Sequence, residues 1–231
     1  MERTSLAKVV MVALLAAALQ GVTSSTSYNY GAGIMYRLEV VQDVTLERGH
    51  TNYNYLEYLL VAKHPGYPNK RSLVQFEDLP STCRASQIHS AKMYLYFVYA
   101  HKPSWHSPET TPYIPRYLEL YLVKKSWRDA QATSTHRLTG VPWSSPWLSL
   151  DGTDADAAPQ CGTVVIFPAR PIRNFVEFDV TNAVKSWAAG VPNYGLLIRA
   201  TNELERGRAI RFASNAMRDS SKHPYILVRC L

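Results

Sequence analysis

Arginine and tryptophan side chains give this chain its clearest means of binding another molecule. A guanidinium group grips a carboxylate through two parallel hydrogen bonds, and an indole ring offers a flat apolar surface. Four arginines alternate with apolar residues in strand-like segments, which predicts that they line the outward face of one sheet: Arg71, Arg199, Arg211 and Arg229. Three tryptophans lie in loop-like segments: Trp105, Trp143 and Trp147. These residues predict a surface for an acidic polysaccharide; the alternative is that the arginines are ordinary charges facing water.

Aspartates and histidines are the candidate metal ligands. Three closely spaced aspartates supply the hard oxygen atoms that calcium prefers: Asp151, Asp154 and Asp156. Gly152 falls too early for an EF-hand loop, so the alternative is a solvated turn. His101 and His106 share a proline-rich segment, but no third ligand follows at a recognisable zinc spacing. The sequence therefore predicts no cofactor, with calcium as the alternative.

One pair of carboxylates has a spacing that could serve hydrolysis. Glu177 and Asp179 lie on one face of a predicted strand, roughly 7 Å apart, which does not exclude a glycosidase pair. Asp179 is better explained as a helix cap, however, and the chain has no nucleophile elbow, zinc-protease motif or phosphate loop. The chain is therefore not expected to be an enzyme, and a polysaccharide lyase or hydrolase is the weaker alternative.

The segment around residues 175–200 predicts a strand, one short helix near residues 181–189 and a second strand. Val180, Val184 and Trp187 recur at helical spacing and form an apolar stripe. Aspartate or threonine caps the helix, glycine ends it, and a second glycine turns the chain into the next strand. The residues with structural roles here are Asp179, Thr181, Trp187, Gly190 and Gly195.

About ten short strand-like segments separated by turn residues predict an all-β, jelly-roll-like β-sandwich of two sheets. Both faces of residues 93–99 are apolar or aromatic, which predicts a central strand covered on both sides. Long surface loops are expected at residues 100–115 and 134–159. The expected organisation is a signal peptide at 1–24, a flexible lead-in at 25–37 and a single sandwich domain at 38–231.

The signal-like segment predicts a secreted, extracellular protein without a membrane span after cleavage; a signal anchor is the alternative. Such a compartment preserves disulfides, and the three cysteines allow one bridge in three alternative pairings: Cys83, Cys161 and Cys230. The formal net charge is +7, or +6 after loss of Glu2, Arg3 and Lys8 with the signal. This excess favours acidic partners, whereas no basic run indicates nucleic acid.

Several segments together resemble a known family. They include Lys70-Arg-Ser-Leu-Val-Gln-Phe, Phe178-Asp-Val-Thr with Trp187, Asn193-Tyr-Gly-Leu-Leu and His223-Pro-Tyr-Ile-Leu-Val. In this order they resemble a DNRLRE-type domain, similar to the jelly-roll modules that bind alginate and, more distantly, to the propeptides of TGF-β-type growth factors. The resemblance covers about residues 40–230 and implies a non-catalytic module of secreted or surface proteins.

These observations predict a secreted, non-catalytic binding or structural module of an extracellular matrix, with an acidic polysaccharide as its ligand. The alternative is a structural component of a calcified or cross-linked skeletal or shell matrix, in which other matrix macromolecules are the partners. Fold alone does not choose between these functions, because the residues that carry the resemblance are mostly core, cap and turn positions.

Overall fold

The fold was examined in a computed structural model, which describes residues 26–30, 33–47, 49–61, 70–100, 116–161, 164–166, 175–201 and 210–231. The signal-like segment, Trp105 and the histidines His101 and His106 lie outside the described residues. The elements are β1 (Thr26–Tyr30), β2 (Gly33–Leu46), β3 (Tyr58–Val61), β4 (Arg71–Phe76), β5 (Ile88–Ala100), β6 (Arg116–Leu122), β7 (His136–Leu138), β8 (Val141–Pro142), β9 (Val164–Ile166), β10 (Phe175–Asp179), α1 (Thr181–Ala188), β11 (Leu196–Ala200), β12 (Ile210–Ala213) and β13 (Tyr225–Cys230).

The strands form an antiparallel β-sandwich whose two sheets share β2. The first half of β2 pairs with β13, from Ile34 opposite Cys230 to Glu39 opposite Tyr225. The second half pairs with β4, after a register shift between Val40 and Gln42. A bulge of this kind bends a strand, and here β2 passes from one sheet to the other. The first sheet has the order β1-β2-β13-β5-β10, with β12 paired to the last residues of β5 and β3 paired to β12. The second sheet has the order β2-β4-β11-β6-β9.

The main core lies between the two sheets, as the alternating pattern predicts. Leu38, Met93 and Ile226 enter it from the first sheet and are fully buried. They meet side chains from the second sheet: Phe76, Leu118, Leu120 and Ile198. Each such side chain contributes about 1.5–3 kcal/mol through the apolar surface it removes from water. The all-β sandwich expected from the sequence is therefore confirmed.

A second apolar cluster lies on the outer face of the second sheet. Leu73, Tyr121 and Leu197 point outward there and are buried beneath residues 124–161, called the loop layer below. The loop layer contributes Trp127, Trp143 and Leu148 to this cluster and contains the small β7–β8 hairpin. The sequence predicts an exposed loop at 134–159, whereas the structure shows a cover that packs on the sheet.

Helix α1 has the apolar stripe and the glycine ending that its sequence predicts, but its N-cap residue is Val180, which makes no side-chain cap bond. Val184 and the preceding Val180 are fully buried. Asp179 Oδ1 accepts a hydrogen bond of 3.0 Å from Thr181 N, next to the helix start. At the other end Val191 N donates to Ser186 O and Gly190 N donates to Trp187 O, which is a Schellman motif. Gly190 has a φ of +101°, the conformation that this ending requires.

Two expectations about the first sheet are corrected. The segment 25–37 is not a flexible lead-in throughout, because β1 pairs with the start of β2 and Tyr36 is 6 % exposed in the core. In β5, Met93, Leu95 and Phe97 are buried, but Tyr94 and Tyr96 on the opposite face are only half-buried. These rings pack against aromatic neighbours within their own sheet, and no second layer of described residues covers them. Among the described residues, no helix is long and apolar enough to cross a membrane.

Candidate functional site

The four arginines singled out by the sequence do not share one sheet face. Arg71 and Arg199 lie on β4 and β11 of the second sheet, whereas Arg229 lies on β13 of the first sheet. Arg211 lies on β12, with its guanidinium 5.2 Å from the centre of the Tyr58 ring. The predicted single arginine stripe is therefore wrong, because alternation along a strand gives the direction of a side chain but not the sheet that the strand joins.

Arg71 holds the loop layer onto the second sheet. Its Nη1 donates to Trp147 O at 2.6 Å and to Leu148 O at 3.0 Å. Arg199 lies on the same sheet, 5.6 Å from the centre of the Tyr121 ring. Tyr121 is itself buried and donates to Glu119 Oε2 at 2.7 Å. Burial, with this hydrogen bond, raises the pKa of Tyr121 to about 12. Arg71 thus bonds to the loop layer, whereas Arg199 donates to Ala200 O and Thr201 O at 3.3 Å, so the two do not present an open arginine pair.

The tryptophans of the loop layer serve its packing. Trp143 is 4 % exposed, and its Nε1 donates to Thr133 O at 3.0 Å. Trp147 packs against the same cluster, and its Nε1 is buried without a hydrogen-bond partner in the described part of the chain. Neither ring therefore matches the open stacking surface that the sequence predicts, and Trp105 lies outside the described residues.

The three aspartates each hold the loop layer together. Asp154 is 2 % exposed, and its Oδ2 accepts from Ser144 N, Ser144 Oγ and Ser149 N at 2.9, 2.6 and 3.0 Å. Hydrogen bonds from Ser149 and Thr153 lower the pKa of Asp151 to about 2. Asp156 accepts from Gln160 and pairs with Lys124. Within the described ranges no group of three acidic, histidine or cysteine side chains converges as metal ligands.

The carboxylates considered for hydrolysis both bind one lysine. Lys92 Nζ lies 3.4 Å from Glu177 Oε1 and 3.0 Å from Asp179 Oδ2. The hydrogen bond to Asp179, outweighing partial burial, raises the pKa of Lys92. Partial burial raises the pKa of Asp179, but hydrogen bonds from Thr181 and Lys92 outweigh it, and the pKa lies below its usual value. Asp179 is thus held as a charged partner, unlike a general acid, which needs a raised pKa.

The outer face of the first sheet carries four aromatic rings and one leucine, called the aromatic face below: Tyr94, Tyr96, Phe175, Tyr225 and Leu227. The Tyr94 and Tyr225 rings stack with centres 4.9 Å apart. The Phe175 ring stands edge-on to Tyr225 at 5.2 Å and to Tyr96 at 5.3 Å. Burial, helped by a hydrogen bond to Glu177, raises the pKa of Tyr94 to about 12. All five side chains are partly exposed.

The charges around the aromatic face are largely balanced. Arg37 lies 3.7 Å from the centre of the Tyr225 ring and forms an ion pair with Glu39. Lys92 is paired with two carboxylates of β10. Arg229 is on the same face, and its Nε is buried without a hydrogen-bond partner in the described chain. An acidic ligand would have to compete with acidic side chains that are already in place.

Three basic side chains of the loop layer form a second surface, called the basic loop patch below: Lys125, Arg128 and Arg137. Arg137 Nη1 donates to Ser126 O at 2.8 Å, which holds its guanidinium beside the segment of the other two. Arg128 N also donates to Arg137 O at 3.3 Å. Lys125 and Arg128 are exposed. None of the three forms an ion pair with an acidic residue of the described chain.

The sequence reasoning missed both of these surfaces. The short basic cluster from Lys124 to Arg128 is visible in the sequence, but Arg137 joins it only through the fold of the loop layer. The aromatic face is visible as alternate aromatic residues in β5, which the composition alone explains equally well as core. Comparison with protein-family models returned no match, and comparison with curated protein sequences returned no significant match.

Proposed function

We propose that this protein is a secreted, non-catalytic binding module that recognises an acidic polysaccharide through the basic loop patch. The observation that carries the proposal is the set of three basic side chains without acidic partners in the described chain. Unpaired cations on a surface attract polyanions, and guanidinium groups bind carboxylate or sulfate through directed hydrogen bonds. The aromatic face, whose charges are largely balanced, is less suited to an acidic chain.

The loop layer gives the basic loop patch a fixed shape. Trp127 anchors the segment between Lys125 and Arg128, because it is buried and its Nε1 donates to Tyr194 O at 2.8 Å. Gln42 Nε2 also donates to Trp127 O at 3.1 Å. A ligand therefore meets a backbone that is already ordered, which lowers the conformational entropy lost on binding.

Secretion is part of the same proposal. The disulfide between Cys83 and Cys230 supports it, because disulfides persist in oxidising compartments outside the cytosol. The resemblance to a DNRLRE-type domain supports a non-catalytic role, and the ion-paired state of Asp179 agrees with it. Residues 1–24, in which Arg3 and Lys8 precede an apolar run, would supply the export signal.

Binding to alginate, heparin and a neutral glucan tests this function. The wild-type protein is expected to bind the two acidic chains, with affinity falling as salt rises, and not the glucan. Lys125→Glu and Arg128→Glu are each expected to lower the affinity about tenfold, because each replaces an attractive contact with a repulsive one. Isothermal titration calorimetry at two salt concentrations measures both effects.

Lys185→Glu is the matched control, since Lys185 is an exposed lysine on α1 and the charge change is the same. It is expected to bind with nearly wild-type affinity. Equal binding of glucan and alginate, or equal losses in the control and the patch variants, would refute recognition by the basic loop patch.

A further inference from the structure

The two outer faces of the sandwich differ in what covers them. The loop layer buries the outer face of the second sheet, where Leu73 and Leu197 are fully buried. On the first sheet, by contrast, the aromatic face remains partly exposed and no comparable layer of described residues lies over it. Partly exposed aromatic rings are enriched at interfaces between proteins relative to the rest of the surface.

The registers of the strands arrange this face in rows. One row crosses β2, β13, β5 and β10 with two aromatic residues between two acidic ones. Its members, in that strand order, are Glu39, Tyr225, Tyr94 and Glu177. The next row, two residues along each strand, holds Arg37, Leu227, Lys92 and Asp179. A row with acidic ends thus lies beside a row that is mainly basic.

A two-fold rotation about an axis between these rows brings each row over the other row of a second copy. Glu39 then faces Arg37 of the second copy, and the Tyr225 ring faces Leu227. Tyr94 faces Lys92, which suits a cation near an aromatic ring. Glu177 and Asp179 form the one like-charge contact, and Lys92 of each copy lies beside them. The face is therefore largely complementary to itself, as a two-fold interface requires.

We propose that this chain forms a two-fold dimer through the aromatic face. The partner is a second copy, because the charge pattern fits its own rotated image, whereas the largely balanced charges disfavour a polyanion. Four strands and three rows, the third holding Tyr96 and Phe175, cover roughly 19 by 20 Å by the ordinary strand spacings. That area, about 400 Å² per partner, lies well below the roughly 800 Å² of a standard interface, so the dimer is weak and transient, with a Kd on the order of 100 μM.

The dimer goes beyond the proposed function. The two basic loop patches lie on the loop layers, on the sides of the two sandwiches that face away from the interface. A dimer of this form carries two separate anion-binding surfaces, whereas a monomer carries one.

Sedimentation equilibrium over a wide concentration range tests the dimer. The wild-type protein is expected to self-associate, and Glu39→Arg is expected to weaken association at least tenfold, because it places an arginine opposite Arg37 of the second copy. The exchange variant Arg37→Glu/Glu39→Arg keeps the ion pair within each chain and is expected to restore self-association. Mixed with the wild-type chain, the exchange variant is expected to form few mixed dimers, because like charges then meet.

Tyr55→Arg is the control, since Tyr55 is 66 % exposed and lies outside the rows. It is expected to associate like the wild-type protein, and thermal unfolding checks that every variant folds. A chain that stays monomeric up to about 1 mM, or equal association of Glu39→Arg and wild type, overturns the dimer. A Glu39→Arg variant that binds alginate more tightly than the wild-type protein, while the wild-type protein stays monomeric, also overturns it and assigns this face to the polysaccharide. Lys125→Glu is expected to change polysaccharide binding but not dimer formation, which keeps the two proposals distinguishable.

Discussion

Asp43 is a carboxyl group buried in the second half of β2. It is 1 % exposed, and its Oδ2 accepts a hydrogen bond of 2.7 Å from Asn215 N. Burial raises the pKa of Asp43 to about 7; the bond from Asn215 lowers it, and the nearby Asp129 raises it further. The folded protein therefore holds a proton here at mildly acidic pH, where the unfolded chain has released it.

This difference predicts that stability falls as pH rises from about 4 to about 7. The folded state binds more protons in that range, so the free energy of unfolding decreases by about 1.4 kcal/mol per unit, on the order of 4 kcal/mol in total. Asp43→Asn keeps an acceptor for Asn215 N and removes the ionised form. It is expected to abolish this slope and to be the more stable protein at pH 8. Urea unfolding of both proteins from pH 4 to pH 8 measures the slope.

Asp129→Asn is the companion variant, because it removes only the repulsive neighbour of Asp43. It is expected to reduce the slope slightly while leaving most of it. A slope that survives unchanged in Asp43→Asn would assign the pH dependence to other groups.

Gly195 shows which part of a residue's role can be predicted from the sequence. The sequence predicts a turn at Gly195, and the structure confirms it with a φ of +79°. It also adds a reason that is invisible in the sequence: a Cβ at this position would lie 2.2 Å from Val74 O on β4. Local turn chemistry depends on neighbours along the chain and was predictable, whereas the approach of a distant strand was not.

Among the elements, the loop layer depends on Asp154. Three donors converge on its Oδ2: Ser144 N, Ser144 Oγ and Ser149 N. These bonds fix the loop segment that runs from Ser144 to Asp154. Asp154→Ala is therefore expected to destabilise the protein by about 2–3 kcal/mol, since it leaves these donors without their buried acceptor. The exposed Asp151→Ala is the control and is expected to cost less. Chemical unfolding compares them.

The same bonds predict how the wild-type protein responds to chelation. Because the Asp154 oxygen is occupied by protein donors, EDTA or added calcium is expected to leave Tm unchanged. A rise in Tm on adding calcium, lost in Asp154→Ala, would instead support the metal site predicted from the three aspartates.

The strands and α1 could be predicted from the sequence, whereas the packing of the loop layer could not. The strands and α1 follow from periodicity, because half of their side chains face a core. The loop layer has no such period, so its tryptophans were predicted to face a ligand. Trp143 and Trp147 instead fill the space over the second sheet, where outward residues such as Leu197 needed cover. Only the fold shows that this apolar face and these rings meet.

At the scale of the whole molecule, one disulfide joins Cys83 to Cys230 across 147 positions. Closing so long a loop in the unfolded chain is expected to stabilise the fold by up to about 5 kcal/mol. Cys83→Ala/Cys230→Ala is therefore expected to lower the free energy of unfolding by a similar amount. Both sulfurs are removed together so that neither can pair with Cys161, the free cysteine of the described chain.

Cys161→Ala is the matched control for the disulfide. Burial raises the pKa of the Cys161 thiol. Cys161 takes no part in the disulfide, so its removal leaves the cross-link intact. A guanidinium unfolding curve is expected to shift strongly for the double variant and little for the control. Equal shifts would mean that packing at these sites, not the cross-link, supplies the stability.

The pairing of the cysteines could not be predicted, because it depends on how β13 lies in the first sheet. The two-sheet architecture could be predicted, since alternation in many strands indicates two stacked layers. The passage of β2 between the sheets could not, because the bulge near Val41 leaves no distinctive residue in the sequence.

The disulfide also determines how the molecule carries mechanical load. A pulling force applied to the chain beyond Cys230 passes through the sulfur bridge directly to Cys83. The residues between them, including β5, α1 and β11, are bypassed and cannot be drawn out. Only the part before Cys83 can lengthen; from Gly33 onward that part measures roughly 170 Å when fully extended. While the disulfide is intact, the length of the part before Cys83 therefore limits how far the protein can be extended by force.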